Sequence, residues 1–227
     1  MKFLIDDANI DKIKEIYNYY PMDGVTTNPS ILSKNGRAPY EVLKEIREFI
    51  GNEAELHVQV VSTKAEEMVK EGRKIVEVLG RNTFIKIPTI PEGVKAMQIL
   101  SKEGYNVTAT AIYTAMQGFI AAKSGAKYVA PYVNRIDNLG ADGIATAREI
   151  HNILKANNLD THVLAASFTN SQQVQSMCLS GIGAVTIAPN VLHNLIKNAS
   201  VADAEDTFLL DFESLCGEGK TMYNCGE

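Results

Sequence analysis

Short runs of β-branched and aliphatic residues alternate with longer amphipathic stretches along nearly the whole chain, and this alternation limits the folds open to it. Residues 2–6, 24–28, 56–60, 84–87, 107–110, 128–132, 162–167 and 184–188 read as eight strands. The stretches between them read as helices. Residues 63–79, TKAEEMVKEGRKIVEVL, carry Met68, Ile75 and Val78 at helical spacing. Strand then helix, repeated eight times, calls for a parallel sheet, because each crossover must lay a helix over the sheet. Closing that sheet gives a (β/α)8 TIM barrel of the α/β class. A further helix is expected at about residues 201–216, after the last barrel helix.

The chain has 227 residues, of which 45% are hydrophobic, and no Pro-, Gly- or Ser-rich break. One domain over residues 1–227 is therefore expected, since barrels of this size commonly form one core. The net charge of -5 is mild and dispersed, without the basic stripe that would neutralise a row of phosphates, so no nucleic-acid partner is expected. No apolar run approaches a membrane span, and the start MKFLIDDANI lacks the apolar core of a signal peptide. A cytoplasmic protein without a membrane partner is expected. Cys178, Cys216 and Cys225 are irregularly spaced, which suits free thiols better than a disulfide framework or a zinc site. His57, His151, His162 and His193 show no metal-ligand spacing either, so no metal or other cofactor is expected.

In such a barrel, chemistry sits at the C-terminal ends of the strands. Read in order, those ends carry Asp6, then Thr26 and Asn28, Gln59, Lys86, Thr110, Tyr132 with Arg135 close behind, and Ser167. Barrel strands are buried on both faces and are normally aliphatic, so a polar residue at each of seven successive ends implies a shared mouth. Each residue also has a plainer reading. Asp6 is a possible helix cap, although Asp7 stands one residue nearer the helix and suits that task better. Thr26 and Asn28 fall in GVTTNPS, where Asn before Pro commonly ends a strand. Gln59 shares a strand face with His57 and fits a satisfied core amide. Ser167 and Thr110 are hydroxyls able to satisfy nearby backbone.

Lys86 stands apart, because it lies inside TFIKIP, flanked by Phe84, Ile85, Ile87 and Pro88. An ammonium in a dry interior is costly, and desolvation favours the neutral amine. A neutral amine in a pocket attacks a carbonyl to form a Schiff base, an electron sink for an adjacent C–C bond. The alternative at this point is a structural ion pair between Lys86 and Asp6 across the barrel.

Four segments together, GVTTNPSIL (24–32), FIKIP (84–88), YVAPYVNRID (128–137) and VLAASF (163–168), resemble the small transaldolase family, and within it the fructose-6-phosphate aldolases. The resemblance covers essentially the whole chain. It implies a class I aldolase barrel without a metal, with Lys86 as the Schiff-base lysine and Asp6, Thr26 and Asn28 around the donor's hydroxyl and amine groups. It implies Arg135 and Ser167 as phosphate holders, sugar phosphates as substrates, and a homodecamer in which the C-terminal helix reaches a neighbour. Transaldolases of the family carry glutamate where this chain has Gln59 and phenylalanine where it has Tyr132, so both positions look like the aldolase. Asp7 stands where a small hydroxyl residue is usual, and Thr108 replaces the asparagine common in transaldolases. The expected chemistry is reversible cleavage of fructose 6-phosphate to dihydroxyacetone and glyceraldehyde 3-phosphate. Asp6 moves protons, and Gln59, Thr110 and Tyr132 hold a relaying water. The N-terminus of the helix after the last strand, opened by Pro189, is a further place for phosphate. Transaldolase activity is the alternative, and a non-catalytic sugar-phosphate-binding barrel a third reading.

Overall fold

The computed structural model describes residues 1–226. They fall into two compact units, Met1–Leu192 and the segment from His193 onward. The first unit holds eight strands: β1 (Lys2–Asp6), β2 (Gly24–Thr26), β3 (Glu55–Gln59), β4 (Thr83–Pro88), β5 (Asn106–Ile112), β6 (Tyr128–Pro131), β7 (His162–Ala165) and β8 (Ala184–Ile187). Each pairs in parallel with the next and β8 pairs with β1, which closes a (β/α)8 barrel in sequence order.

The helices are α1 (Ile10–Tyr19), α2 (Pro29–Asn35), α3 (Pro39–Ile50), α4 (Ala65–Leu79), α5 (Pro91–Lys102), α6 (Ala115–Lys123), α7 (Val133–Asp137), α8 (Gly143–Ala156), α9 (Ser171–Leu179), α10 (Pro189–Asn194) and α11 (Ala199–Cys216). The last is the expected C-terminal helix. It exposes Phe208, Leu209, Leu210 and Leu215.

Local chemistry explains the boundaries. The α4 stripe is Ala65, Met68, Val69, Gly72, Ile75 and Leu79, with Val78 only half-buried, because the buried face follows the steps of three and four through Gly72. At α1 the cap is Asn9, whose side chain accepts from the Asp11 and Lys12 amides. Asp7, the expected cap, instead folds back onto the Ala8 and Asn9 amides. The helix starts one turn position later than Asp7 can serve, which corrects that expectation. Gly93 opens the first turn of α5, where an added Cβ would stand 1.9 Å from the Pro88 carbonyl oxygen. Glycine thus lets α5 turn tightly off the end of β4, the strand that carries Lys86.

Five strands stop short of their expected ends, β3 by one residue at Gln59. β2 ends at Thr26 because Asn28 becomes the cap of α2, accepting from the Ile31 amide at 3.0 Å ahead of Pro29. β6 ends at Pro131, with Tyr132 joined to Ala166 only by an isolated bridge. β7 ends at Ala165, and two residues on Ser167 takes a left-handed backbone at φ 63°. β8 stops at Ile187, where Pro189 opens α10.

The period-2 alternation of the strands sends one set of side chains into the barrel. Leu4, Phe84, Tyr128, Leu164 and Ala184 pack there as an apolar layer. Interleaved with it toward the N-terminal ends of the strands lies a polar floor. Glu55 pairs with Lys2 and accepts from the Tyr128 hydroxyl at 3.2 Å and from His57 Nε2 at 3.3 Å. With Nε2–H donating, His57 Nδ1 accepts from the Thr108 hydroxyl at 2.9 Å. The imidazole lies flat on Phe84, ring centroids 4.5 Å apart.

Candidate active site

Lys86 sits in register with Gln59 on one side and Thr108 on the other, and is only 6% exposed. Its Nζ donates to the Thr27 carbonyl at 2.8 Å. Burial pushes its pKa below the ordinary lysine value, and the nearby Asp6 carboxylate opposes that shift without cancelling it. No Lys86–Asp6 ion pair forms among the described residues; the amine bonds backbone instead. That outcome sets aside the structural ion pair as the reason for the lysine.

Above Lys86 opens a cavity of about 290 Å³. Seven of the residues singled out at the strand ends line it: Asp6, Asn28, Gln59, Lys86, Tyr132, Arg135 and Ser167. Thr26 and Thr110 are fully buried behind that wall. Each holds a lining residue. Thr26 Oγ1 donates to Asp6 Oδ1 at 2.7 Å, and Thr110 Oγ1 shares a 2.8 Å hydrogen bond with the Tyr132 hydroxyl. Asn28 uses its oxygen to cap α2, which leaves its NH₂ for the cavity it lines.

Arg135, on α7, is exposed and lies over the Tyr132 ring with its guanidinium carbon 4.7 Å from the centroid. Ser167 owes its place to the left-handed turn after β7, where its carbonyl accepts from the Asn134 amide at 2.8 Å. The turn therefore ties the end of β7 to the same short helix that carries Arg135. A non-glycine residue at such a φ is strained, and such strain concentrates at functional sites. A wider cleft of about 620 Å³ adjoins, sharing Asp6, Asn28 and Arg135 and adding Lys12, Lys34 and the start of α10 at Pro189 and Asn190.

The Asp6 carboxyl is pushed up by burial, an effect that Lys86, the Thr26 hydroxyl and Arg135 only partly offset. Asp6 and Lys86 thus face one cavity with their pKa values moved toward each other, the pattern of a proton donor and acceptor pair. Sequence reading missed Thr186, which lines the cavity from β8, and the Thr27 carbonyl, which receives the Lys86 amine. The period-2 pattern of the last strand contains the signal for Thr186. The Thr27 carbonyl carries no side-chain signal at all.

No helix among the described residues is long and apolar enough to cross a membrane, and no group of three or more His, Cys, Asp or Glu among them is arranged to hold a metal. Cys178, Cys216 and Cys225 are free thiols.

The chain resembles a mutant flavocytochrome b2 with pyruvate bound, at 10% identity and TM-score 0.58, over 83% of this chain and 56% of that one. That likeness concerns the barrel fold. A probable fructose-6-phosphate aldolase of Streptococcus pneumoniae is 39% identical over 213 residues, covering 93% of this chain and 96% of that protein. A probable transaldolase of Methanococcus maripaludis is 41% identical over 214 residues, covering 94% and 98%. The family described as Transaldolase/Fructose-6-phosphate aldolase matches residues 3–222. With the barrel, the buried lysine at the end of β4 and these whole-length matches together, the chain belongs to the transaldolase/fructose-6-phosphate aldolase family.

Proposed function

We propose that the protein is a class I aldolase that reversibly cleaves fructose 6-phosphate to dihydroxyacetone and glyceraldehyde 3-phosphate, using Lys86 as a Schiff-base nucleophile. The observation that carries this reading is the Lys86 amine, desolvated at the end of β4 and facing a cavity ringed by Asp6, Asn28, Gln59, Tyr132, Arg135 and Ser167. In the forward direction the neutral amine adds to the C2 ketone, and loss of water gives an iminium. Asp6 carries the protons between nitrogen and the departing hydroxyl. The C3–C4 bond then breaks, its electrons flow into the iminium to give an enamine, and the C4 hydroxyl passes its proton to the water held by Gln59, Thr110 and Tyr132 as the aldehyde forms. Glyceraldehyde 3-phosphate leaves, the enamine is protonated at C3, and water releases dihydroxyacetone and Lys86.

In the same proposal the remaining residues take these roles. Asn28 holds the donor end, Thr26 acts there through Asp6, to which its hydroxyl donates, and Arg135 and Ser167 hold the phosphate. Tyr132, tied to Thr110, supplies or relays the proton to C3, and Gln59 orients the water without placing a second carboxylate beside the intermediate. A hydroxyl beside the nascent carbanion favours protonation and release over transfer, which is why we choose the lyase over the transaldolase. The transaldolase reading draws on the relatives of Methanococcus that bear that name. A cytoplasmic homo-oligomer belongs to the same proposal, supported by the apolar surface of α11.

Borohydride trapping with dihydroxyacetone, followed by peptide mass spectrometry, tests the nucleophile: an unmodified Lys86 peptide overturns both enzyme readings. A product assay with and without erythrose 4-phosphate separates lyase from transferase. Efficient transfer with little free dihydroxyacetone would replace aldolase by transaldolase.

A further inference from the structure

Asp6 is held by a chain of two hydroxyls that converges from both neighbouring strands. Thr26, on β2, stands in register with Asp6, and its Oγ1 donates to Asp6 Oδ1 at 2.7 Å. Thr186, on β8, stands in register with Leu4, two residues before Asp6 on β1, and its Oγ1 lies 2.6 Å from Thr26 Oγ1. Both threonines are buried. A hydroxyl has one proton to donate. Once Thr26 spends its proton on the carboxylate, the 2.6 Å contact must be Thr186 donating to Thr26.

We propose that Thr186 is a positioning residue for the Schiff-base reaction: by donating to Thr26 it locks the Thr26 hydroxyl onto Asp6 Oδ1, which dedicates Asp6 Oδ2 to proton transfer at the Lys86 carbinolamine. The inference rests on the aldolase reading for its chemistry, but not for its hydrogen bonds. The aligned dipoles reinforce one another in a low-dielectric wall, and bonds that end on a carboxylate are stronger than neutral ones. Removing the Thr186 hydroxyl leaves Thr26 free to rotate about its own Cα–Cβ bond and Asp6 free to exchange its two oxygens. The carboxylate then loses part of its stabilisation and takes up a proton more readily. Other charges around Asp6 stay in place: Lys86 from β4, Arg135 from α7, Asp7 beside it, and Lys12 and Lys34 on the outer cleft.

The test compares Thr186→Val, which keeps the shape and deletes the hydroxyl, with Thr186→Ser, which keeps the hydroxyl and deletes a methyl. Thr186→Ala gives the same deletion if the valine variant does not fold. We expect Thr186→Val to slow borohydride-trapped Schiff-base formation with dihydroxyacetone about 10-fold, the scale of a misplaced catalytic group. The KM for fructose 6-phosphate should change less than kcat, and the acid limb of the rate profile should move to higher pH. Thr186→Ser should recover most of the rate. A valine variant with the wild-type trapping rate and pH profile overturns the proposal, and so does a serine variant as slow as valine, because the loss then follows packing. Carbon-13 NMR titration of the Asp6 carboxyl, without substrate, reads the hydroxyl chain whether or not the protein is an aldolase. Its midpoint should rise in Thr186→Val and not in Thr186→Ser, and an unmoved midpoint in the valine variant refutes the chain even where trapping fails in the wild type.

Discussion

The two ends of the barrel interior are both polar, yet they are finished differently. At the floor, Glu55, His57, Thr108 and Tyr128 satisfy one another inside the protein, and Lys2 reaches Glu55 from the surface. At the mouth, a buried second row holds the front row, Thr26 donating to Asp6 and Thr110 sharing a hydrogen bond with Tyr132, and the front row faces open cavity. Buried polar groups must be partnered, so a closed network needs nothing further, whereas an open one is complete only with a ligand. The titrations follow suit. Burial pushes Glu55 up, but hydrogen bonds from His57 and Lys2 outweigh it and hold the carboxyl below the usual range, the mark of a settled charge. Burial wins at Asp6, which rises, and at Lys86, which falls, so the two pKa values move toward each other. In physical terms the floor is built to stay as it is and the mouth is built to react.

The largest effect expected at the mouth is from Lys86→Met. It removes the nucleophile and fills the site with an apolar chain of similar size, so turnover should vanish while circular dichroism is unchanged. Substantial residual activity would place the nucleophile elsewhere. The same lysine sets the pH dependence. Trapping should rise with pH as the ammonium deprotonates, with a midpoint below the free lysine value of about 10.4. Because the Asp6 charge raises the lysine's pKa, Asp6→Asn should move that midpoint to lower pH still, although proton transfer itself slows. A midpoint that stays put in the asparagine variant would uncouple the pair.

Next in size is Tyr132→Phe, which deletes the hydroxyl shared with Thr110 but keeps the ring under Arg135. Release of free dihydroxyacetone should fall about 10²-fold, the scale for losing a general acid, while transfer to erythrose 4-phosphate falls less. Equal losses in both assays would remove Tyr132 from the choice between release and transfer. Arg135→Ala should act more gently, raising the KM for fructose 6-phosphate by about 10-fold with little change for dihydroxyacetone, since only the phosphate is a dianion for the guanidinium to hold. Equal losses for phosphorylated and free substrates would remove the arginine from that role.

How much of this was legible beforehand depends on whether the information is local in the chain. The barrel was, because the alternation of two periods fixes element type, and period 2 also fixes which strand residues face inward. The seven cavity residues followed from the C-terminal ends of those strands and the residues just beyond them. The cap of α1 was not, because Asp7 and Asn9 are both good caps and the choice turns on where the first helical turn begins. The end of β7 was overrun because nothing local announces that Ser167 will take a left-handed turn. The pairing of Lys2 with Glu55, and of Glu55 with Tyr128, was invisible because closing the barrel brings together positions far apart in the sequence. Thr186 faces inward by the period-2 rule, but unlike Lys86 it is an uncharged residue of a kind common in strands, so its local sequence does not set it apart.

The smallest effect on turnover should come from the floor, and that makes it the sharpest test of the contrast. Glu55→Gln keeps the shape but replaces a carboxylate that accepts from His57, Lys2 and Tyr128 with an amide whose nitrogen can only donate. Turned one way, the amide nitrogen meets the Lys2 and Tyr128 donors; turned the other, His57 must change tautomer to accept from it, and Lys2 loses its carboxylate partner either way. Leaving a buried polar group unpaired costs about 1–3 kcal/mol. For a chain of this length that corresponds to a fall in Tm of roughly 2–12 °C. Lys86 bonds the Thr27 carbonyl rather than any floor residue, so the reacting groups keep their partners. Turnover at 25 °C should therefore stay within about twofold of wild type, as for damage that does not touch the transition state. Thermal unfolding and initial rates on one preparation decide the matter. A Glu55→Gln variant that keeps its Tm but loses activity would mean that the floor takes part in the chemistry, and the division between a settled end and a reactive end of the barrel would fail.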